Sequence, residues 1–445
     1  MPITDPHPEH LAAASLWARM RDCAAGEDAV KARRQDYLPR PGGQSERAYR
    51  AYLARAVWYG ATERTLNGLA GAIFRHPPVV EAPDALARQL DSIAADGGPF
   101  EGLAQSVARE ALLAGRAGLL ADRPSMTRPA DAEGAPYLAL YPAESILNWE
   151  SAPLAGRQRL TRLVLREDME HCRELLLDAS GQYRVRLWRR KSRQAGTYEI
   201  TQEHRPTRAG QPLDAIPFSF VGARSLSPAV EKPPLADLAG MNLAHYRNSA
   251  DYEQSLFLTG QPTPWIAGRL EARERPTAIG SGTIWHLPEG CSVGMLEFTG
   301  AGLEALRQAM LDKEARMVQL GARLLEAPKR AAETAEAVRL RGAAEASSLS
   351  ILAETVGRGL TQALRHLAWW QGLDPESVTV RLNRDFVEAR LTAPDILALV
   401  ESWQKGAISR RTLFDNLRDG EVLPPGRSYA QEQRLIETEQ PEIPA

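Results

Sequence analysis

The sequence predicts an α+β fold, and three observations carry that reading. A β-rich stretch from Tyr137 to Val221 lies between segments of helical periodicity. A smaller β-rich insert, 261–300, separates two helices at 235–259 and 301–325. One alternating strand, with Val378, Val380 and Leu382 on its apolar face, returns after the longest helical pattern of the chain.

The elements follow in order. Residues 8–36 read as a helix with Leu11, Leu16, Trp17 and Met20 as its apolar stripe. Two prolines and two glycines in YLPRPGGQ (37–44) force a loop. Ser45 then Glu46 suits a helix start. The pattern predicts one helix from there to about Phe74, with Tyr49, Tyr52, Leu53, Ala56, Tyr59 and Leu66 on its face. Pro77-Pro78 ends it, and shorter helices are expected near 84–95 and 100–116.

From 137 to 221 the period shortens. YLALYP, LTRLVLRE, YRVRLWRR, TYEIT and IPFSFV read as strands, and Tyr183, Val185 and Leu187 alternate with Arg184, Arg186 and Trp188. The basic run WRRKSR (188–193) precedes Gly196 and fits a solvated hairpin tip better than a nucleic-acid site.

Helix 235–259 is polar on most sides, with Asn242, His245, Arg247, Asn248, Asp251, Glu253 and Gln254. Such a helix is exposed or takes partners from neighbours in an assembly. In the insert, PTPWIAG, GTIWHLPEG and SVGMLEFTG read as short strands. Leu303, Leu306, Met310, Met317, Leu320 and Leu324 form the stripe of the returning helix. Pro328 breaks it, because proline lacks the amide proton and clashes with the preceding turn. A helix of about forty residues, ~60 Å long, is then expected from Ala332 to Gln371. The strand at 378–382 is expected to complete the earlier sheet. Helices follow at 393–405 and 409–419, and the Gln- and Glu-rich end beyond Pro424 is expected to fray.

Composition excludes several functions. The 445 residues suffice for two or three domains. The formal net charge of −2 argues against binding nucleic acid through bulk positive charge. Cys23, Cys172 and Cys291 are far apart and odd in number, which fits neither a disulfide framework nor a metal knuckle. The N-terminus lacks a signal pattern, and no apolar run reaches the ~18 residues of a membrane span. A soluble protein made in the cytoplasm is expected. Phosphate-loop, HExxH, G-x-S-x-G and CxxC motifs are missing from the sequence. Gly280-Ser281-Gly282 opens no helical pattern, and His171-Cys172 has no partner cluster at metal spacing. Carboxylates lie at helical spacing from arginines, as in surface ion pairs. The expectation is no enzyme, no catalytic residue, no metal and no cofactor.

Several blocks in order carry a resemblance. They are Tyr37–Pro78, VAREALLAGRAGLLAD (107–122), YLALYPAESILNW (137–149), PPLADLAGMNLAHYRNSADYEQSLFLTGQPTPW (233–265), MVQLGARLLE, ETAEAVRLR and SSLSILAETV. Together they resemble the bacteriophage portal proteins, the head-to-tail connectors of tailed phages. More closely they resemble a portal-like family often labelled a domain of unknown function.

The resemblance implies a wing (1–232), a first stem helix (233–260), a clip (261–300) and a second stem helix (301–325). A tunnel loop (326–332), a long helix (333–371), a wing return with a strand (372–408) and a short crown or tail (409–445) would follow. It implies a ring of about twelve copies at one capsid vertex, a virion component assembled in the host cytoplasm, with no membrane. Its implied partners are the terminase large subunit, head–tail adaptor and tail proteins, capsid and scaffold proteins, and double-stranded DNA passing without sequence readout. On this pattern Pro328, Lys329 and Arg330 face DNA, where cations meet phosphates without reading sequence. A basic helix–helix turn on the outer surface is the other reading of those three residues. His245, Arg247, Asp251, Lys313 and Arg316 would face the stem lumen or a neighbouring copy. Trp265, Trp285 and His286 would form the clip surface where the motor and adaptor dock. A scaffold or adaptor protein, and an enzyme with an unrecognised site, are the alternatives.

Overall fold

The computed structural model describes residues 3–123, 135–154, 156–191, 197–208, 211–260, 263–278, 280, 282–296, 301–322, 324, 347–384, 386, 393–419, 422–424 and 427–439. Helix α1 (Pro8–Ala25) starts where His7 Nδ1 accepts the Glu9 amide. It stops at Gly26, whose φ of 99° suits glycine, and α2 (Glu27–Ala32) follows. The helix expected over 8–36 is therefore two helices. Trp17 and Met20 are fully buried, whereas Leu11 is exposed.

Helix α3 (Glu46–Arg55) is capped by Ser45, whose hydroxyl accepts the Ala48 amide at 3.2 Å. Helix α4 (Ala61–Ile73) is a separate element. The single helix expected to Phe74 is split at 56–60 by contacts from a distant helix, described below. Strand β1 (Val79–Glu81), the short α5 (Asp84–Ala87) and α6 (Phe100–Ala114) come next. Gly115, at φ 70°, ends α6 in the left-handed conformation and turns the chain directly into β2 (Arg116–Asp122). Buried along nearly its whole length, β2 shows no alternation, which hides it from a period-2 reading.

β2 is the centre of an antiparallel three-stranded sheet, flanked by β3 (Tyr137–Pro142) and β11 (Phe218–Gly222). A five-stranded meander holds β4 (Ile146–Leu154), β5 (Arg157–Arg166), β6 (His171–Leu177), β7 (Tyr183–Arg190) and β8 (Tyr198–His204) in sequence order. β4 and β6 join the strands that periodicity marked. At the end of β7, Arg189 and Lys191 pair with Glu199 of β8, as suits a solvated hairpin. Strands β9 (Thr207–Arg208) and β10 (Gln211–Pro212) form a small ribbon.

Helix α7 (Ala236–Thr259), the hairpin β12 (Thr263–Ala267) with β13 (Ser292–Leu296), and helix α8 (Ala301–Ala322) form an arm. Residues 282–290 hold no strand, although one was expected in GTIWHLPEG. Helix α9 (Ser348–Gln371) is shorter than the forty-residue helix expected. Ser347 is extended (φ −60°, ψ 156°) and its hydroxyl accepts the Ser350 amide, so helix begins there. Residues 325–346 lie outside the described residues. Their flanks meet, since the Leu349 amide donates to the Leu324 carbonyl at 2.9 Å.

α6 and α9 pack on the three-stranded sheet and on each other. The Trp370 indole donates to the Ala121 carbonyl at 3.1 Å, locking α9 to β2. Strand β14 (Thr379–Arg381) pairs with β1, not with the 137–221 strands as expected. Its place is fixed by α9: Thr361 Oγ1 accepts the Val380 amide at 2.9 Å, and Arg365 donates to the Val378 carbonyl at 3.2 Å. Helices α10 (Ala393–Gln404), α11 (Arg410–Asp419) and α12 (Tyr429–Glu439) close the chain. α12 corrects the expectation of a frayed end. Ser428 and Gln431 form a reciprocal cap, each bonding the other's backbone amide, and Tyr429 packs edge-on against Phe414.

Candidate interaction site on the two-helix arm

The root of the arm is built from polar side chains. Asn242, His245 and Ser249 of α7 are buried. Asn242 donates to the Tyr59 carbonyl at 2.8 Å and accepts from the amide and hydroxyl of Thr62. Ser249 Oγ bonds both backbone groups of Val57. These contacts hold residues 56–60 non-helical and so divide α3 from α4. The Tyr52 hydroxyl donates to Asp251 at 2.6 Å, Arg55 donates to Gln254 at 2.9 Å, and Arg247 donates to the Tyr37 carbonyl at 2.8 Å. The sequence reading looked to neighbouring copies for the partners of this polar helix. Within the chain itself each of these side chains already has one.

α8 runs antiparallel to α7 and is mostly exposed. Met317 and Leu238 meet with Ala61, and Tyr59, Met241 and Leu320 pack around them. Farther along, His245 Nε2 lies 3.2 Å from Glu314. Burial holds the His245 imidazole below its ordinary pKa, against the pull of Glu314. Lys313 bonds its own helix at Ala309, and Arg316 is exposed.

The end of the arm is apolar and uncovered. Phe257 and Leu258 of α7 are 60% and 62% exposed. In the hairpin, Trp265 lies opposite Gly294 and covers it, on the same face as Leu296. The other face carries Pro264 opposite Met295 and Ile266 opposite Val293. Trp265, Met295, Val293 and Leu296 are exposed. A groove beside this second face is lined by Ile266, Leu270, Pro276 and Trp285, whose indole donates to the Ala278 carbonyl at 2.8 Å. His286 is exposed beside it. The structure thus brings Trp265, Trp285 and His286 to one hairpin and sets His245, Arg247 and Asp251 apart at the root. Pro328, Lys329 and Arg330 lie outside the described residues. The apolar hairpin residues Val293, Met295 and Leu296 were not singled out by sequence. The alternation in SVGML was the available signal.

Among the described residues no group of three His, Cys, Asp or Glu can hold a metal, and no helix is long and apolar enough to cross a membrane. Arg173 pairs with Asp122 and, at 2.6 Å, with Glu167, which also accepts the Tyr141 hydroxyl. Both carboxylates are engaged by the arginine, so this cluster ties the two sheets together.

Comparison with known proteins gives a family match over the arm. A family model described as a domain of unknown function (DUF4055) matches residues 234–371, from the start of α7 to the end of α9. None of the curated proteins matches. Among solved structures, the chain is similar to one from the neck of an empty GTA particle computed with C6 symmetry. The identity is 14% and the TM-score 0.42, covering 90% of this chain and 96% of that one. It is similar to one from the virion of a native gene transfer agent (GTA) particle, at 15% identity and TM-score 0.36, covering 93% and 98%. A third comes from the neck of a native GTA particle computed with C12 symmetry, at 15% identity and TM-score 0.36, covering 86% and 96%.

Proposed function

We propose that the chain is a portal protein, a subunit of a ring at a phage capsid vertex through which DNA enters and leaves. One observation carries the reading: the arm ends in a two-stranded hairpin that exposes Trp265 and Leu296 on one face and Val293 and Met295 on the other. A lone two-stranded hairpin is marginally stable in water, and an apolar patch of this kind marks an interaction site. Neighbouring copies in a ring would cover these faces. The root polar contacts, satisfied within one chain, would hold each arm at a fixed angle for that packing. Lys329 and Arg330 fall within 325–346, between Leu324 and Leu349, which are hydrogen-bonded to each other. In a ring this segment would carry the two cations toward DNA, while terminase and adaptor proteins would dock on the hairpin end.

The test is negative-stain imaging with native mass spectrometry of the purified chain. Rings of about a dozen subunits with a central hole are expected. A compact dimer with no ring at any concentration would sink the proposal.

A further inference from the structure

His245 is a buried titratable side chain that joins the two helices of the arm. Its Nε2 meets Glu314 across the interface, and its other ring nitrogen, Nδ1, is buried with no hydrogen-bond partner. A neutral imidazole fits this surrounding. The Nε2 hydrogen donates to Glu314, and Nδ1 holds only a lone pair. A protonated imidazole does not fit, because Nδ1–H would be a charged donor with no acceptor.

We propose that His245 is a proton-sensitive latch: neutral, it holds α8 against α7, and protonated, it releases α8.

The groups around the imidazole decide the sign. From α8, the Glu314 carboxylate attracts the charged form and Lys313 opposes it. From the 56–60 segment, the Tyr59 ring packs at 5.3 Å, and the guanidinium of Arg64 on α4 covers that same ring at 4.5 Å. Glu314 is itself about one-third exposed, so solvent screens its attraction. Burial, the orphan nitrogen and the Lys313 cation outweigh one screened carboxylate. Above a pH of about 6.5, the ordinary histidine value, the latch is at full strength. As pH falls below that value the released form gains protons first. The opening equilibrium then rises up to about tenfold per pH unit, levelling off below the depressed value of the latched form. α8 is the element free to respond, since Met317 is its one fully buried apolar side chain among the described residues.

The inference rests on the arm's own geometry and stands apart from the portal reading. Hydrogen exchange of the α8 amides, corrected for the intrinsic pH dependence of exchange, tests it on the full chain. Protection in α8 should fall several-fold between pH 7.5 and 5.0 while α9 stays protected. In His245→Gln, which keeps an amide donor for Glu314 and does not titrate, α8 protection should stay flat. Unchanged α8 protection in the wild type, or an equal acid fall in the variant, overturns the latch. Should the variant fail to fold, NMR titration of His245 in the wild type decides. A midpoint below 6.5 that coincides with α8 loosening supports the latch, and a midpoint apart from it overturns it.

Discussion

Arg116 is a fully buried guanidinium with no hydrogen-bond partner on any of its three nitrogens. It lies 3.8 Å from the centroid of the Trp149 ring and 4.9 Å from that of Phe220. On the other side of Trp149, His7 stacks at 3.9 Å. Ring faces attract a cation, but they replace lost hydration only in part. Burial accordingly lowers the Arg116 pKa to about 9. Arg116→Met, of similar shape, should be neutral or stabilising by about 1–3 kcal/mol in urea unfolding. A clear loss would mean that the charge serves the fold. Asn242 behaves oppositely. Asn242→Leu leaves the Tyr59 carbonyl and the Thr62 amide unpaired, and should cost about 2–4 kcal/mol in the same measurement.

At the scale of elements, the close packing of α9 on β11 depends on Gly359. A Cβ there would lie 2.5 Å from Val221 Cγ2. In an open helix glycine to alanine gains about 1 kcal/mol, but overpacking a core costs about 1–3. Gly359→Ala should therefore lower the thermal midpoint, and a raised midpoint would show that α9 shifts at little cost. Helix α7 itself was legible in sequence to within one residue, since Pro233-Pro234 before it and Gly260-Gln261-Pro262 after it bracket the helix. The breaks were not. The splitting of 46–73 comes from Asn242 and Ser249, which are about 190 residues away in sequence and invisible to local pattern. Gly26 ends α1 by its own conformation, and only that break had a local signal. The pairing of β14 with β1 depends on α9 side chains capping its backbone, which no strand alternation encodes. The arm's polar root misled in a different way: a helix polar on most sides looked exposed or in need of neighbouring copies, yet Asn242, His245 and Ser249 are buried, and Asn242 and Ser249 are paired with the 56–62 segment of the same chain.

For the whole molecule, the arm is where apolar surface is exposed. The body buries its core around α6, α9 and the three-stranded sheet, whereas the hairpin exposes Trp265, Val293, Met295 and Leu296. The candidate docking residues Trp265 and Trp285 were visible in sequence as aromatic residues among turns. Their shared hairpin became apparent only from the strand register. If the chain is a portal subunit, replacing Lys329 and Arg330 with glutamate should leave ring assembly intact and impair DNA packaging or retention. Normal packaging by such rings would remove those residues from the DNA path.

The central claim, that the exposed hairpin residues are where copies meet, is tested most directly by sedimentation velocity. Wild type is compared with the triple variant Ile266→Ser, Val293→Ser and Met295→Ser. Circular dichroism would verify that the body of the variant stays folded. The account predicts a large, homogeneous ring species for wild type and a folded monomer for the variant. The same large species in both would contradict it.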